Sequence, residues 1–214
     1  RGPDDGDVYF DKGMAMCHRR LSIIDLSESG RQPMSTDDGR YVIVFNGEIY
    51  NFHELRKALI ERGYHFNTGT DTEVLLNLYK EYREDCLQKL RGMFAFAVWD
   101  KKEEELFLCR DRIGKKPLYY FHDGKHMAFA SEIKSILCIP SFMKEIDPTA
   151  VVDYLKYLYI PHPKSIYKNV YKLEPGHFLV YKNGDVRIRK YWDIDFSIPL
   201  SGNADDIADE LLSI

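Results

Sequence analysis

The spacing of apolar residues divides the chain into short strands and a few helices. Residues 14–24, MAMCHRRLSII, open with apolar–polar alternation and predict a strand; residues 41–45, YVIVF, are an apolar run of buried-strand length. Over 52–62, FHELRKALIER, the residues Phe52, Leu55, Leu59 and Ile60 share a helical stripe, and Gly63 follows as a stop. Residues 71–90 predict a second helix, with Asp71 as N-cap and Val74, Leu75, Leu78, Tyr79, Tyr82, Leu87 and Leu90 on one side. From residue 93 the period shortens to two. MFAFAVWD and LFLCRD flank the charged turn KKEEE, PLYYFHD and KHMAFAS flank Asp123-Gly124, and HFLVYK and DVRIRKYW flank Asn183-Gly184, so three hairpins are predicted. SEIKSIL reads as a short helix capped by Ser131, and DPTAVVDYLKYL as a helix started by Asp147 and Pro148. Residues 197–203 read as a linker, and 204–214 as the start of a further helix. Helices beside hairpin-rich segments predict an α+β fold with antiparallel sheets.

Composition narrows the function classes. With 214 residues and 25.1 kDa, the chain is long enough to bury its own core. Thirty Lys and Arg against 34 Asp and Glu leave a net charge of −4, which argues against a nucleic-acid partner. No apolar run approaches the roughly 20 residues of a membrane helix. The four cysteines, at 17, 86, 109 and 138, form no CxxC pair and read as reduced, mostly buried thiols of a cytoplasmic protein. The histidines are dispersed without metal-ligand spacing, and GKK at 114–116 lacks the glycine spacing of a phosphate-binding loop.

Four segments carry candidate chemistry, each with two readings. Asn46-Gly47-Glu48 ends the predicted strand at 41–45; it is either a tight turn or an amide side chain beside a glycine N–H, the donor pair of an oxyanion hole. In His18-Arg19-Arg20 alternation turns one arginine inward, to meet either a structural carboxylate or the carboxylate of a substrate. Arg110-Asp111-Arg112 is a salt-bridged turn or part of a site wall. Asp71 is a helix cap or a carboxylate for an ammonium group.

The order of the longer motifs is more specific. RGPDDG, HRRLSIIDLS, GRQPM, FNGEIYN, GTDTEVLL, LRGMFAFAVWD, RDRIGKKPLYY, ASEIKSIL and IPHPKSIYKNVYKLEPGHFL follow one another. This series resembles the glutaminase domain, a class II glutamine amidotransferase, of glutamine-dependent asparagine synthetases. The resemblance implies an N-terminal-nucleophile hydrolase fold, a four-layer αββα sandwich of two antiparallel sheets. It implies that residues 1–196 are the type 2 glutamine amidotransferase domain, with 197–214 the linker and first helix of the synthetase domain. It also implies a chemistry: an N-terminal cysteine attacks the side-chain amide of glutamine, ammonia leaves, and water resolves the thioester to glutamate. Carried onto this chain, Arg20 looks like the clamp on the glutamine carboxylate, with backbone contacts from Leu21, Ser22, Ile23 and Ile24. Asn46 and the Gly47 N–H look like the oxyanion hole, and Glu48 and Asp71 look like the pair that receives the substrate ammonium.

The family's cysteine stands a few tens of residues before RGPDD, whereas this chain opens on that motif. The expectation is therefore a sandwich truncated at its N terminus and inactive alone, because none of the four cysteines carries a free α-amino group. The expected partners are glutamine and the C-terminal synthetase domain, with a homodimer as a further implication. This portion takes no cofactor; ATP and Mg²⁺ are implied for the synthetase domain, which converts aspartate to asparagine. Two other readings remain. One is a degenerate glutamine-binding or structural domain of a related amide- or lactam-forming enzyme. The other is a sugar or purine amidotransferase, which the motifs at 110–120 and 130–134 weaken.

Overall fold

Alternation builds a central antiparallel sheet, and the two faces of that sheet organise everything else. The computed structural model describes residues 2–21, 28–140, 142–197 and 203–212. The chain runs β1 (Asp5–Asp11), β2 (Met14–Arg20), β3 (Met34–Ser35), β4 (Tyr41–Ile49), α1 (Phe52–Ile60), α2 (Asp71–Tyr82), β5 (Gly92–Asp100), β6 (Glu105–Arg110), β7 (Tyr119–His122), β8 (Met127–Ala130), α3 (Ile133–Ile136), α4 (Pro148–Tyr157), β9 (Val170–Lys172), β10 (His177–Lys182), β11 (Asp185–Lys190) and α5 (Ala204–Leu212). The central sheet has the order β11-β10-β6-β5-β4-β3. All three predicted hairpins form, and the last turns through Asn183 and Gly184, both at positive φ, as a two-residue hairpin turn requires.

On one face of this sheet, Ile43, Phe45, Ile49, Phe96, Val98 and Phe107 pack against Phe52 and Leu59 of α1 and Val74, Leu75, Leu78 and Tyr79 of α2. On the other face, Val42, Val44, Ala97, Trp99, Leu108 and Leu179 meet Met16 of β2 and Tyr120 of β7. The second β layer has two parts, the ribbon β1-β2 and the three-stranded sheet β8-β7-β9. Behind it, Phe121 and Val170 pack on Ile136 of α3 and on Phe142. The layers therefore run helix, sheet, sheet, helix. No described helix is long and apolar enough to cross a membrane.

Several local expectations are corrected. The strand expected over 41–45 continues to Ile49, so Asn46-Gly47-Glu48 is strand interior, paired with Ala95, Phe94 and Met93, and not a turn. The helix expected over 71–90 ends at Tyr82, where Arg83 takes a φ of +52°; residues 83–88 continue as a 3₁₀ turn. The N-cap of α2 is Thr70, and the N-cap position of α3 is held by Glu132, not Ser131, without a side-chain capping bond. Asp147 caps α4 as expected, accepting from the Thr149 N–H at 2.8 Å. Ile60 points to solvent, and two of the four cysteines, Cys17 and Cys138, are exposed.

Arg83 leaves the helical path because its guanidinium has distant partners. It bonds Asp100 at 3.0 Å and Glu105 at 2.7 Å and lies 4.8 Å over the Tyr79 ring. Asp100, 1% exposed, also receives both arms of Arg40, at 3.0 and 2.8 Å, and the backbone N–H groups of Lys102 and Glu103. Arg110 and Asp111 form a turn held by backbone rather than by charge. Arg110 donates to the carbonyls of Gly114, Lys116 and Leu173, and the Asp111 carboxylate accepts from the N–H groups of Phe94, Lys115 and Lys116.

Burial pushes the Asp100 carboxyl up, but Arg40 and the two amides outweigh it and hold it below the usual range. A depressed carboxyl stabilises the fold above its unfolded pKa of about 3.9, and that contribution is lost as pH falls through the folded value. Asp100→Asn is expected to cost about 2 kcal/mol at pH 7, since both arginine partners are a third exposed. Denaturant unfolding followed from pH 7 to pH 3 should show the gap from wild type closing in acid.

Candidate functional site

The site forms where β4 lacks a neighbouring strand. β5 pairs with β4 along its whole length, whereas β3 covers only Val42 and Ile43. Phe94, opposite Gly47, commits both of its backbone groups to Asp111, just past β6: its N–H donates to Asp111 Oδ2, and its carbonyl accepts the Asp111 N–H at 2.8 Å. Gly47 therefore occupies a non-hydrogen-bonded position and turns its N–H to the outer edge, with those of Phe45 and Ile49. Side chains take the place of a strand there. Gln32 Oε1 accepts from the Phe45 N–H at 2.6 Å, His18 Nε2 lies 3.1 Å from the Phe45 carbonyl, and Asp71 Oδ2 accepts from the Ile49 N–H at 3.0 Å. Gly47 lies between these tied positions. It must be glycine because a Cβ would stand 2.2 Å from the Met93 carbonyl oxygen.

Asn46 and Glu48 share the face of β4 that carries Val42 and Val44, toward the second β layer. Both are half-buried at the end of that interior.

Asp71 reaches β4 because α2 is capped by other residues. Thr70 Oγ1 accepts from the Glu73 N–H, and the Glu73 carboxylate reaches back to the N–H groups of Asn67 and Thr68. This reciprocal cap folds 67–70 tightly and leaves the Asp71 side chain for Ile49. Gln32 ties the same helix to the strand, donating from Nε2 to Thr72 Oγ1 at 3.2 Å. Burial pushes the Asp71 carboxyl up; the N–H groups of Ile49, Thr72 and Asp71 itself oppose that, and the Glu48 charge adds to it. Two carboxylates thus stand near each other with one of them poorly solvated.

Arg20 supplies the opposite charge. Of the arginines at the end of β2, Arg19 is exposed and Arg20 is 8% exposed. A Cβ on Gly30 would lie 2.3 Å from Arg20 Nη2 and 2.9 Å from Thr70 Cγ2, so the guanidinium rests in a notch that Gly30 opens beside the α2 cap. Leu21 is 61% exposed; Ser22, Ile23 and Ile24 lie outside the described residues. The structure therefore brings Arg20, Asn46, Gly47, Glu48 and Asp71 to one region.

Sequence reasoning gave no role to Gly30, Gln32, Thr70 or His18. All four lay within motifs already picked out, GRQPM, GTDTEVLL and HRRLSIIDLS, but Gln32 and His18 act on partners distant in the chain.

None of the four cysteines belongs to the site. Cys17 alternates with His18 onto the exposed side of β2, and Cys138 lies past α3. Cys86 and Cys109 are buried, and burial pushes both thiols up.

The model of a glutamine amidotransferase domain matches residues 1–192. An asparagine synthetase [glutamine-hydrolyzing] 1 of Bacillus subtilis is 42% identical over 212 residues, 99% of this chain and 33% of that protein. A second, number 3 of the same organism, is 41% identical over 91% of this chain and 32% of its own length. The chain thus spans about a third of these relatives. Among solved structures, the glutamine phosphoribosylpyrophosphate amidotransferase of B. subtilis in complex with ADP and GMP superposes with a TM-score of 0.60 at 20% identity, over 83% of this chain and 35% of that one. That likeness establishes the expected N-terminal-nucleophile hydrolase fold. The chain belongs to the glutamine amidotransferase domain family.

Proposed function

We propose that this domain hydrolyses glutamine and supplies the ammonia for converting aspartate to asparagine, as the names of its relatives suggest. The observation that carries the reading is the charge layout around the open β4 edge: a buried guanidinium beside the α2 cap, the poorly solvated Asp71 carboxylate with the Glu48 charge acting on it, and the Asn46–Gly47 pair on the same strand edge. A free α-amino acid presents the complementary charges. Arg20 offers a bidentate fork to the α-carboxylate. Glu48 and Asp71 receive the ammonium, whose arrival relieves the cost of the Asp71 charge. Asn46 and the Gly47 N–H lie where the side-chain carbonyl oxygen gains negative charge during attack. The nucleophile in this reading is the N-terminal cysteine of the family. Its sulfur bonds the amide carbon, the C–N bond breaks as the nitrogen takes a proton, and water then cleaves the thioester to glutamate. ATP and Mg²⁺ serve the synthetase portion, which is the proposed partner.

Three outcomes are expected in the full-length protein. Asn46→Ala should lower glutamine-dependent synthesis about 100- to 1,000-fold, as loss of an oxyanion donor does. Ammonia-dependent synthesis, assayed beside it, reports on the other portion; an equal loss in both assays would contradict the oxyanion role. Arg20→Lys should raise KM for glutamine roughly 10- to 100-fold, because a point charge replaces a fork; an unchanged KM would remove the clamp. Asp71→Asn should also raise that KM, yet melt at a higher temperature at pH 7. A carboxyl raised by burial destabilises the fold once ionised, so this stability gain should shrink as pH falls through the raised folded pKa toward the unfolded value of about 3.9.

A further inference from the structure

His18 has no part in the chemistry described so far. It precedes Arg20 by two residues on β2 and shares its inward face with Met16 and Arg20. A carbonyl only accepts, so the 3.1 Å contact with Phe45 places the hydrogen on Nε2 and leaves Nδ1 bare. Nδ1 is buried with no hydrogen-bond partner among the described residues. An unpaired buried acceptor is a cost, so the value of the ring lies in the bond from Nε2. Burial, with the Arg20 charge adding to it and the Phe45 bond opposing it, holds the imidazole below its ordinary range, so the ring is neutral at pH 7.

What that bond joins is the second observation. Among the described residues, the β1-β2 ribbon shares no strand ladder with the central sheet. No backbone register therefore sets the position of Arg20 relative to Gly47. Met16 packs between the layers, but apolar contact is non-directional, and the bond from Trp99 Nε1 to Asp11 holds the ribbon at its turn end, away from Arg20. The bond from His18 to Phe45 is directional and joins the residue two before Arg20 to the residue two before Gly47.

We propose that His18 is a positioning residue. Through its bond to Phe45 it fixes the separation between the Arg20 clamp and the Asn46–Gly47 donors, and so aligns the two ends of glutamine for reaction. This rests on the glutaminase reading above.

The test compares full-length wild type, His18→Leu, which keeps bulk without a donor, and His18→Gln, which restores an N–H at similar reach. Misalignment should act on the transition state more than on binding. Accordingly kcat for glutamine hydrolysis should fall about 10-fold in His18→Leu, with KM moving less than about 3-fold, and His18→Gln should recover most of kcat. Ammonia-dependent synthesis is the control for general damage. The proposal is overturned if the glutamine variant is as slow as the leucine variant, if both match wild type, or if ammonia-dependent synthesis falls in step. If wild type releases no glutamate from glutamine, the glutaminase reading itself fails and takes this inference with it; an active wild type puts only His18 at stake.

Discussion

The exposed edge of a single strand governs this structure. β4 is satisfied on one side by β5, but on the other its ladder stops after β3. Buried backbone groups left unpaired are costly, so the chain must bring partners from elsewhere. It brings His18 from the ribbon, Gln32 from the segment before β3 and Asp71 from the start of α2. Meeting one hydrogen-bonding requirement therefore fixes three separately folded pieces around Gly47. The site follows from how the edge is closed.

The carboxylates show how structural and chemical roles part. Asp100 meets two arginines and two amides, and its carboxyl is held low. Asp111 meets three backbone N–H groups. Asp71 is buried too, yet its carboxyl is held high, with the Glu48 charge adding to the effect of burial. A buried acid that the fold leaves partly uncompensated is a candidate for an outside cation. Burial alone does not separate the three; the identity of the groups facing each one does.

Legibility in the sequence followed the range of the interactions. Hairpins, the Asp147 cap and the helical stripes of α1 and α2 are local, and alternation or turn chemistry revealed them. The end of α2 is not local: Arg83 turns away for Asp100 and Glu105, 17 and 22 residues on. Asp71 resembled a cap because its type suits one, while its actual partner, Ile49, lies 22 residues earlier in the chain. Asn46-Gly47 resembled a turn because the dipeptide favours one, but Gly47 is needed for close approach to Met93 within a continuous strand. β1 escaped detection because its Val8 and Phe10 are exposed and its sequence is largely acidic and glycine-containing. The residue types of the candidate site were visible through the motifs, whereas Gln32, Thr70 and His18, which orient them, act across gaps of 13 to 40 residues or through a cap.

The two ends of the site also belong to different layers. Arg20 rides on the ribbon, while Asn46, Gly47 and Glu48 ride on the central sheet, and Asp71 on the helix behind it. A ligand that spans from the guanidinium to the Asn46–Gly47 pair is measured by the distance between layers, which core packing at Met16, Val42 and Val44 sets together with the polar ties. Discrimination by length would then not reside in the residues that touch the ligand. A change in the volume of Met16, which has no polar atom to offer, would shift Arg20 against β4 and alter the fit of both ends at once, whereas a change at Glu48 would alter one end alone.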